Sequence, residues 1–232
     1  MYQEKIIAFN SKSIALTKSL FTRVYAWMFA GLLMSALMAF FVSTQPALVK
    51  LFLQNKFMFF GLIIGEFLLV ILISGMINRI SSATAGAFFA AYSLMNGITL
   101  SVIFLIYQIG TISLAFGITA VTFGLMSLIG YFTKADLSKL GSILFMGLVG
   151  IILASIVNIF LKSNFFDWII SMFGVLIFVG LTAYDTNKIK MMLNRADSDE
   201  TIAKIAVLGA LSLYLDFINL FLFILRLIGR RR

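Results

Sequence analysis

Long apolar runs, separated by short polar stretches, dominate the chain from residue 24 to residue 225. A helix that crosses a bilayer needs about 20 mostly apolar residues, and this requirement defines seven candidate helices. The uncharged stretch 80–133 is long enough for two of them, with a turn at residues 107–110. The predicted spanning helices are residues 24–42, 57–77, 82–105, 111–132, 140–161, 166–184 and 205–225.

The remaining polar positions divide the chain into an arm, a membrane domain and a tail. Residues 1–23 carry four basic side chains and run into an apolar segment without a cleavage pattern, which predicts a cytoplasmic arm and a retained first helix. Residues 24–228 form a single membrane domain, and residues 229–232 a basic tail. The stretch 186–204 is predicted to be the only sizeable polar loop. The pattern indicates an all-α integral membrane protein with seven transmembrane helices.

Composition supports this class and excludes others. The chain is 62% hydrophobic and 12% charged, whereas soluble domains have about 25% charged residues. The net charge of +9 does not indicate nucleic-acid binding, because Lys and Arg cluster at helix ends, where anionic headgroups and topology explain them. The chain has no Cys and no His, which excludes disulfides, His-based zinc sites and Ser-His catalysis. Any response to pH must therefore come mainly from carboxylates.

The basic residues near helix ends also predict an orientation. With the N-terminus in the cytoplasm, eleven of them lie on the cytoplasmic side and three on the outer side. The tail argues the other way, because Arg226 and residues 230–232 follow the seventh helix. Seven spans place this tail outside, whereas one re-entrant segment would place it inside.

Asp216 is the twelfth of the 21 residues in the run 205–225 and its only charged residue. A carboxylate at the bilayer centre costs at least about 2.5 kcal/mol, which favours a functional role over a structural polar residue bonded to one neighbouring helix. Ser212 lies four residues before it and Asn219 three after, so the three share one helical stripe. We expect this stripe to face protein or water.

Asp185 closes the preceding apolar run, either at the membrane interface or, if the helix continues to about residue 192, inside it. It can meet Asp216 if the seventh helix begins near residues 199–202, if that helix tilts, or if Asp185 is drawn inward. Two carboxylates that meet in one poorly hydrated site would share a proton and titrate as a unit. When ionised, they would offer oxygen ligands to a transient Ca²⁺ ion.

Several further side chains are candidates for supporting roles. Arg79 is either a counter-ion for Asp185 or an ordinary basic residue at a helix end. Glu66 either pairs with Arg226 or bonds to a nearby hydroxyl. Tyr184 and Tyr214 would donate hydrogen bonds to the aspartates, although interfacial anchoring explains Tyr184 equally well. No cofactor is expected, and Ca²⁺ is the expected permeant ion.

Two strings carry a resemblance to a known family. These are GLTAYDTNKIK at residues 180–190 and ALSLYLDFINLFL at residues 210–222, followed by a basic tail. They resemble the Bax inhibitor family, also called the transmembrane Bax inhibitor motif family, and the compact chain looks like a bacterial member. The resemblance implies six helices around a central seventh, a pH-sensitive Ca²⁺ leak, and a paired-aspartate sensor at Asp185 and Asp216.

The expected function is therefore a pH-sensitive passive Ca²⁺ leak in a bacterial inner or plasma membrane. The alternative is an interaction protein that modulates a membrane-bound AAA protease, which the resemblance implies for some bacterial members. An intramembrane hydrolase with two catalytic aspartates is disfavoured, because the chain has no Gly-x-Gly-Asp string. We expect no enzymatic activity, and the expected partners are the lipid bilayer, Ca²⁺ and protons, with such a protease added under the alternative.

Overall fold

The computed structural model describes residues 2–193, 196 and 198–229, with side chains from residue 16 onward. Seven of its helices are long and apolar enough to cross a membrane, as the sequence pattern predicts. The long helices are α1 (Tyr2–Thr44), α2 (Lys56–Met76), α3 (Ser82–Leu100, continued by Val102–Ile106), α4 (Ile109–Phe132), α5 (Ser138–Leu161), α6 (Asn164–Leu193) and α7 (Asp199–Ile228). A short helix (Pro46–Leu48) and a π-helical segment (Val49–Gln54) connect α1 to α2.

Side-chain caps explain where several of these helices begin. The Asn55 side chain accepts hydrogen bonds from the backbone N–H groups of residues 57 and 58 at the start of α2. Ser81 accepts from the third residue of α3, and Ser198 accepts from the third residue of α7. Such caps satisfy N–H groups that have no partner within the helix. A polar residue that directly precedes each of these three helices therefore marks where the helix begins.

The predicted polar loop at residues 186–204 is wrong, because helix continues over most of it. Helix α6 extends to Leu193, and α7 begins at Asp199. The charge of Lys190 does not end α6, since its Nζ donates to the backbone carbonyl of Tyr131 at 2.9 Å. A lysine bonded to the end of α4 in this way completes a helix terminus and lets α6 continue.

The predicted arm at residues 1–23 is also not separate from the first span. Helix α1 is continuous from Tyr2, and its apolar stretch begins at Leu16. Leu20 and Phe21, which the sequence pattern assigns to the arm, are buried in the core. Their burial against the bundle explains why the apolar span begins earlier than the charge pattern indicates.

Helix α7 occupies the centre of the bundle, as the family resemblance implies. In its most apolar stretch 72% of residues are buried, compared with at most 39% in any other span. It packs against α1, α2, α3, α4 and α6. Helix α5 differs from the others, because it packs chiefly on α6 and leaves a gap beside α7.

Two glycines bring neighbouring helices close to the middle of α6. A Cβ atom added at Gly130 of α4 would clash with the backbone of Ala183, and one added at Gly141 of α5 would clash with the ring of Tyr184. Both contacts lie just before Asp185 in the chain. Close approach at small residues is a common way for membrane helices to pack. These two contacts hold α6 in place where it presents Asp185.

Candidate functional site

A cavity of about 1040 Å³ lies between α5, α6 and α7. Along α5 it reaches from Gly141 to Ile159, roughly 27 Å by helical rise and close to the thickness of the hydrocarbon core. Its α5 wall is mainly apolar. The polar side chains that line it are Ser142, Ser155, Tyr184, Asp185, Lys188, Ser212, Asp216, Asn219 and Arg226.

Asp216 is the most buried acid in this cavity, with 4% of its surface exposed. Its Oδ2 atom is buried and accepts no hydrogen bond from the described part of the chain. Ser212 and Asn219 line the same cavity, which confirms that the three residues share one face. The Asn219 side-chain amide donates to the carbonyl of Leu215 at 2.8 Å, so its own carbonyl oxygen remains for the cavity.

Asp185 lines the same cavity from α6. The two aspartates reach one site because α6 continues about two turns beyond Asp185 and α7 begins at Asp199. These are the two helix extensions that the sequence leaves open. Two carboxylates that line one cavity can each bind a proton or, when both are ionised, together attract a cation.

The cation beside Asp185 is Lys188, one helical turn later on α6, and not Arg79. Lys188 lines the cavity, and its Nζ lies 5.7 Å from the ring centroid of Tyr184. Arg79 is exposed in the turn between α2 and α3 and is not among the lining residues. The structure does not bring Arg79 to Asp185, because α2 packs mainly on α3, away from the cavity.

The predicted ion pair between Glu66 and Arg226 is wrong. Arg226 lines the far end of the cavity, and its Nη1 lies 3.9 Å from Oδ1 of Asp167 in the first turn of α6. Glu66 instead accepts hydrogen bonds from two α3 side chains, Thr99 and Asn96. The alternative interpretation, a carboxylate bonded to a nearby hydroxyl, is confirmed. The neighbouring helices determine the partners of both residues, because α3 covers Glu66 and α6 begins beside the end of α7, where Arg226 lies.

The two tyrosines have different roles from the predicted one. The Tyr214 hydroxyl bonds to Ser35 and Asn96 at 2.6 and 2.9 Å, on a different face of α7 from Asp216. Tyr184 does line the cavity, where its ring packs on Gly141. In the part of the chain that the structure describes, no hydrogen bond joins either tyrosine to an aspartate.

Sequence reasoning missed three polar residues that line the cavity, Ser142, Ser155 and Lys188, and it missed Asp167, the acid beside the lining residue Arg226. The two serines are small residues in an apolar helix, and no pattern within the sequence distinguishes them from packing residues. The sequence does contain a pattern from which the pairing of Asp167 with Arg226 could have been predicted. Asp167 is the only acid near the predicted start of the sixth helix, and Arg226 ends the seventh helix on the same side of the membrane.

The donor set limits what the cavity can hold. No group of three or more His, Cys, Asp or Glu side chains gathers among the described residues. A Ca²⁺ ion takes six to eight oxygen ligands. Here it would have to combine the two carboxylates with hydroxyl, amide and water oxygens, as suits a transient site.

Comparison with known proteins agrees with the fold. The sequence model of the family described as "Inhibitor of apoptosis-promoting Bax1" matches residues 17–232. The inner membrane protein YbhL of Escherichia coli K12 is 48% identical over 212 residues, 90% of this chain and 91% of YbhL. An uncharacterized protein of Borreliella burgdorferi is 46% identical over 96% of this chain and 97% of its own length. An uncharacterized membrane protein of Streptococcus pyogenes serotype M6 is 36% identical over 90% of this chain and 92% of its own length. The chain therefore belongs to the Bax inhibitor family, together with bacterial inner membrane proteins.

Proposed function

We propose that this protein is a passive leak pathway for Ca²⁺ across a bacterial cell membrane, gated by protonation of Asp185 and Asp216. One observation carries the proposal. Both aspartates face a single cavity that follows α5 for most of the membrane thickness, and a buried Asp216 oxygen accepts no hydrogen bond from the described residues. A buried carboxylate oxygen of this kind is a natural ligand for a hard cation or a proton.

The chemistry of the pair supplies the gate. With both carboxylates ionised, the cavity offers two negative charges and the oxygens of Ser212 and Asn219 to a partly dehydrated Ca²⁺ ion. A proton on the pair removes one of these charges and weakens the attraction for the divalent ion. Ca²⁺ and protons thus compete for the same two side chains. The protein needs no energy source, because the ion moves down its gradient.

Ca²⁺ flux into liposomes across a pH series tests the proposal. Asp185→Asn and Asp216→Asn keep the side-chain size and remove the charge, so we expect each to reduce flux and to flatten its pH dependence. Asp136→Asn is the matched control, because Asp136 is exposed in the turn between α4 and α5. Unchanged flux and pH dependence in both aspartate variants would show that the gate is elsewhere.

A second candidate function is interaction with a membrane-bound AAA protease. The observation that favours it is the length of α1, whose helix begins at Tyr2 although its apolar span begins at Leu16. A helical extension of residues 2–15 offers a surface outside the membrane. Deletion of residues 2–15 should then abolish co-purification with the protease and leave Ca²⁺ flux intact. Loss of flux with retained co-purification would reverse this assignment.

A further inference from the structure

A second carboxylate within the membrane span, the partly buried Glu66, belongs to a chain of hydrogen bonds away from the aspartate cavity. The chain joins Glu66 of α2 to Asn96 of α3, then to Tyr214 of α7 and Ser35 of α1. Glu66 accepts from Thr99 Oγ1 at 2.5 Å and from Asn96 Nδ2 at 3.3 Å. The other links are Tyr214 to Asn96 Oδ1 at 2.9 Å, Tyr214 to Ser35 at 2.6 Å, and Ser35 to the carbonyl of Ser93 at 2.7 Å. We refer to this chain as the Glu66 relay.

The number of protons in the relay is smaller than the number of contacts. The Tyr214 hydroxyl has one proton and lies within hydrogen-bond distance of both Asn96 and Ser35. The Ser35 hydroxyl has one proton and three neighbours that can accept it: Tyr214, the Ser93 carbonyl and the Gly31 carbonyl at 3.0 Å. The relay can therefore run in one of two directions, but not in both at once.

Each direction corresponds to one protonation state of Glu66. When Glu66 is ionised, Asn96 donates to it, Tyr214 donates to Asn96, and Ser35 donates to Tyr214. When Oε2 of Glu66 carries a proton, the Asn96 amide group rotates by about 180° so that its oxygen accepts a hydrogen bond from Glu66. The Asn96 NH₂ group then donates to Tyr214, and Tyr214 donates to Ser35. Ser35 then donates to the Ser93 carbonyl, which already lies 2.7 Å away. Neither state requires the backbone to move.

We propose that Glu66 is a second proton-binding site, separate from the aspartate pair, and that its protonation reverses the hydrogen bonds of the relay as far as the central helix. The proton exchanges with bulk water, and no other covalent bond forms or breaks. The inference does not rest on Ca²⁺ conduction, because a proton and the relay side chains are its only components.

The surroundings of Glu66 leave the relay as its main partner. The titratable groups that face it are Tyr92 of α3, whose ring packs edge-on against Tyr214, and Tyr214 itself. Within the described residues, no ion pair or hydrogen bond joins Glu66 to a Lys, an Arg or another acid. Of the helices that contact α2, α3 supplies both of the hydrogen-bond donors to Glu66, and α7 supplies Tyr214.

Infrared difference spectroscopy of the full chain in Ca²⁺-free lipid, with ring-labelled tyrosine, tests the inference. We expect a carboxylic acid C=O band of Glu66, separate from any band of the aspartate pair, and a tyrosine C–O band that change together with one pH midpoint. Glu66→Gln should abolish both changes. Asn96→Leu, which interrupts the relay, should keep the carboxylic acid band and abolish the tyrosine change. Tyr214→Phe should give the same result as Asn96→Leu and replaces it if that variant does not fold.

Two controls separate the relay from its neighbours. Tyr92→Phe keeps the ring that packs on Tyr214 and removes a hydroxyl that lies outside the relay, so both changes should persist. Asp216→Asn should also leave both in place, because the aspartate pair lies in the cavity on another face of α7. Absence of a Glu66 acid band at every pH at which the protein is folded overturns the inference. A tyrosine change that persists in Glu66→Gln overturns it as well.

Discussion

Asp216 and Tyr214 lie two residues apart on α7 and serve different sides of the bundle. Two helical steps rotate a side chain by about 200°, so Asp216 faces the cavity beside α5 and α6 while Tyr214 faces α1 and α3. The Tyr214 ring is fully buried between Phe89 and Tyr92. Its position limits rotation of the central helix. The orientation of Asp216 therefore depends on contacts made on another face of the same helix.

Tyr214→Phe should destabilise the protein by about 1–3 kcal/mol, because it leaves the buried Ser35 and Asn96 with one hydrogen-bond partner fewer. The ring and its aromatic contacts remain. Tyr25→Phe is the matched control, because Tyr25 is only partly buried and its hydroxyl donates to Ser127. Unfolding in detergent or bicelles measures both. Equal stabilities of the two variants would contradict a special role for the Tyr214 hydroxyl.

Gly130→Ala should destabilise the bundle by roughly 1–3 kcal/mol, since the new methyl group would meet the backbone of Ala183 and push α4 away from α6. Gly117→Ala, on the same helix, adds a methyl group where no atom lies within 4 Å. That control should be neutral or stabilising, because Ala favours helix over Gly. Thermal unfolding compares the pair. A Gly130→Ala protein as stable as wild type would mean that α4 and α6 pack less closely at this glycine than the structure shows.

The lengths of the apolar runs were sufficient to predict the seven helices, and the spacing of Ser212, Asp216 and Asn219 was sufficient to predict one polar face. Both depend on geometry within a single helix. The partners of Glu66 and Arg226 depend on which helices are neighbours, and no sequence repeat supplies that information. The continuation of α6 through Lys190 also could not be predicted from the sequence, because the carbonyl group that binds this lysine belongs to another helix.

Arg226→Gln should change stability by less than about 1 kcal/mol, because the Arg226 and Asp167 side chains are 41% and 33% exposed and solvent screens their interaction. We expect the substitution to change Ca²⁺ flux instead. Arg226 lines one end of the cavity, and its positive charge opposes the approach of Ca²⁺. Under the proposed function, removing that charge increases flux in the liposome assay. Arg226→Lys keeps the charge and should restore low flux. Decreased flux in Arg226→Gln would instead assign Arg226 to holding the cavity open.

Chemical labelling can establish the orientation of the bundle, because the chain has no native cysteine to create background. Gln54, exposed between α1 and α2, and Asp136, exposed between α4 and α5, should lie on opposite sides of the membrane. If the N-terminus is cytoplasmic, a membrane-impermeant maleimide added outside intact cells labels Gln54→Cys and not Asp136→Cys. Both should react after the cells are broken. The reverse pattern would place the N-terminus outside, and labelling of both in intact cells would contradict an odd number of crossings between them.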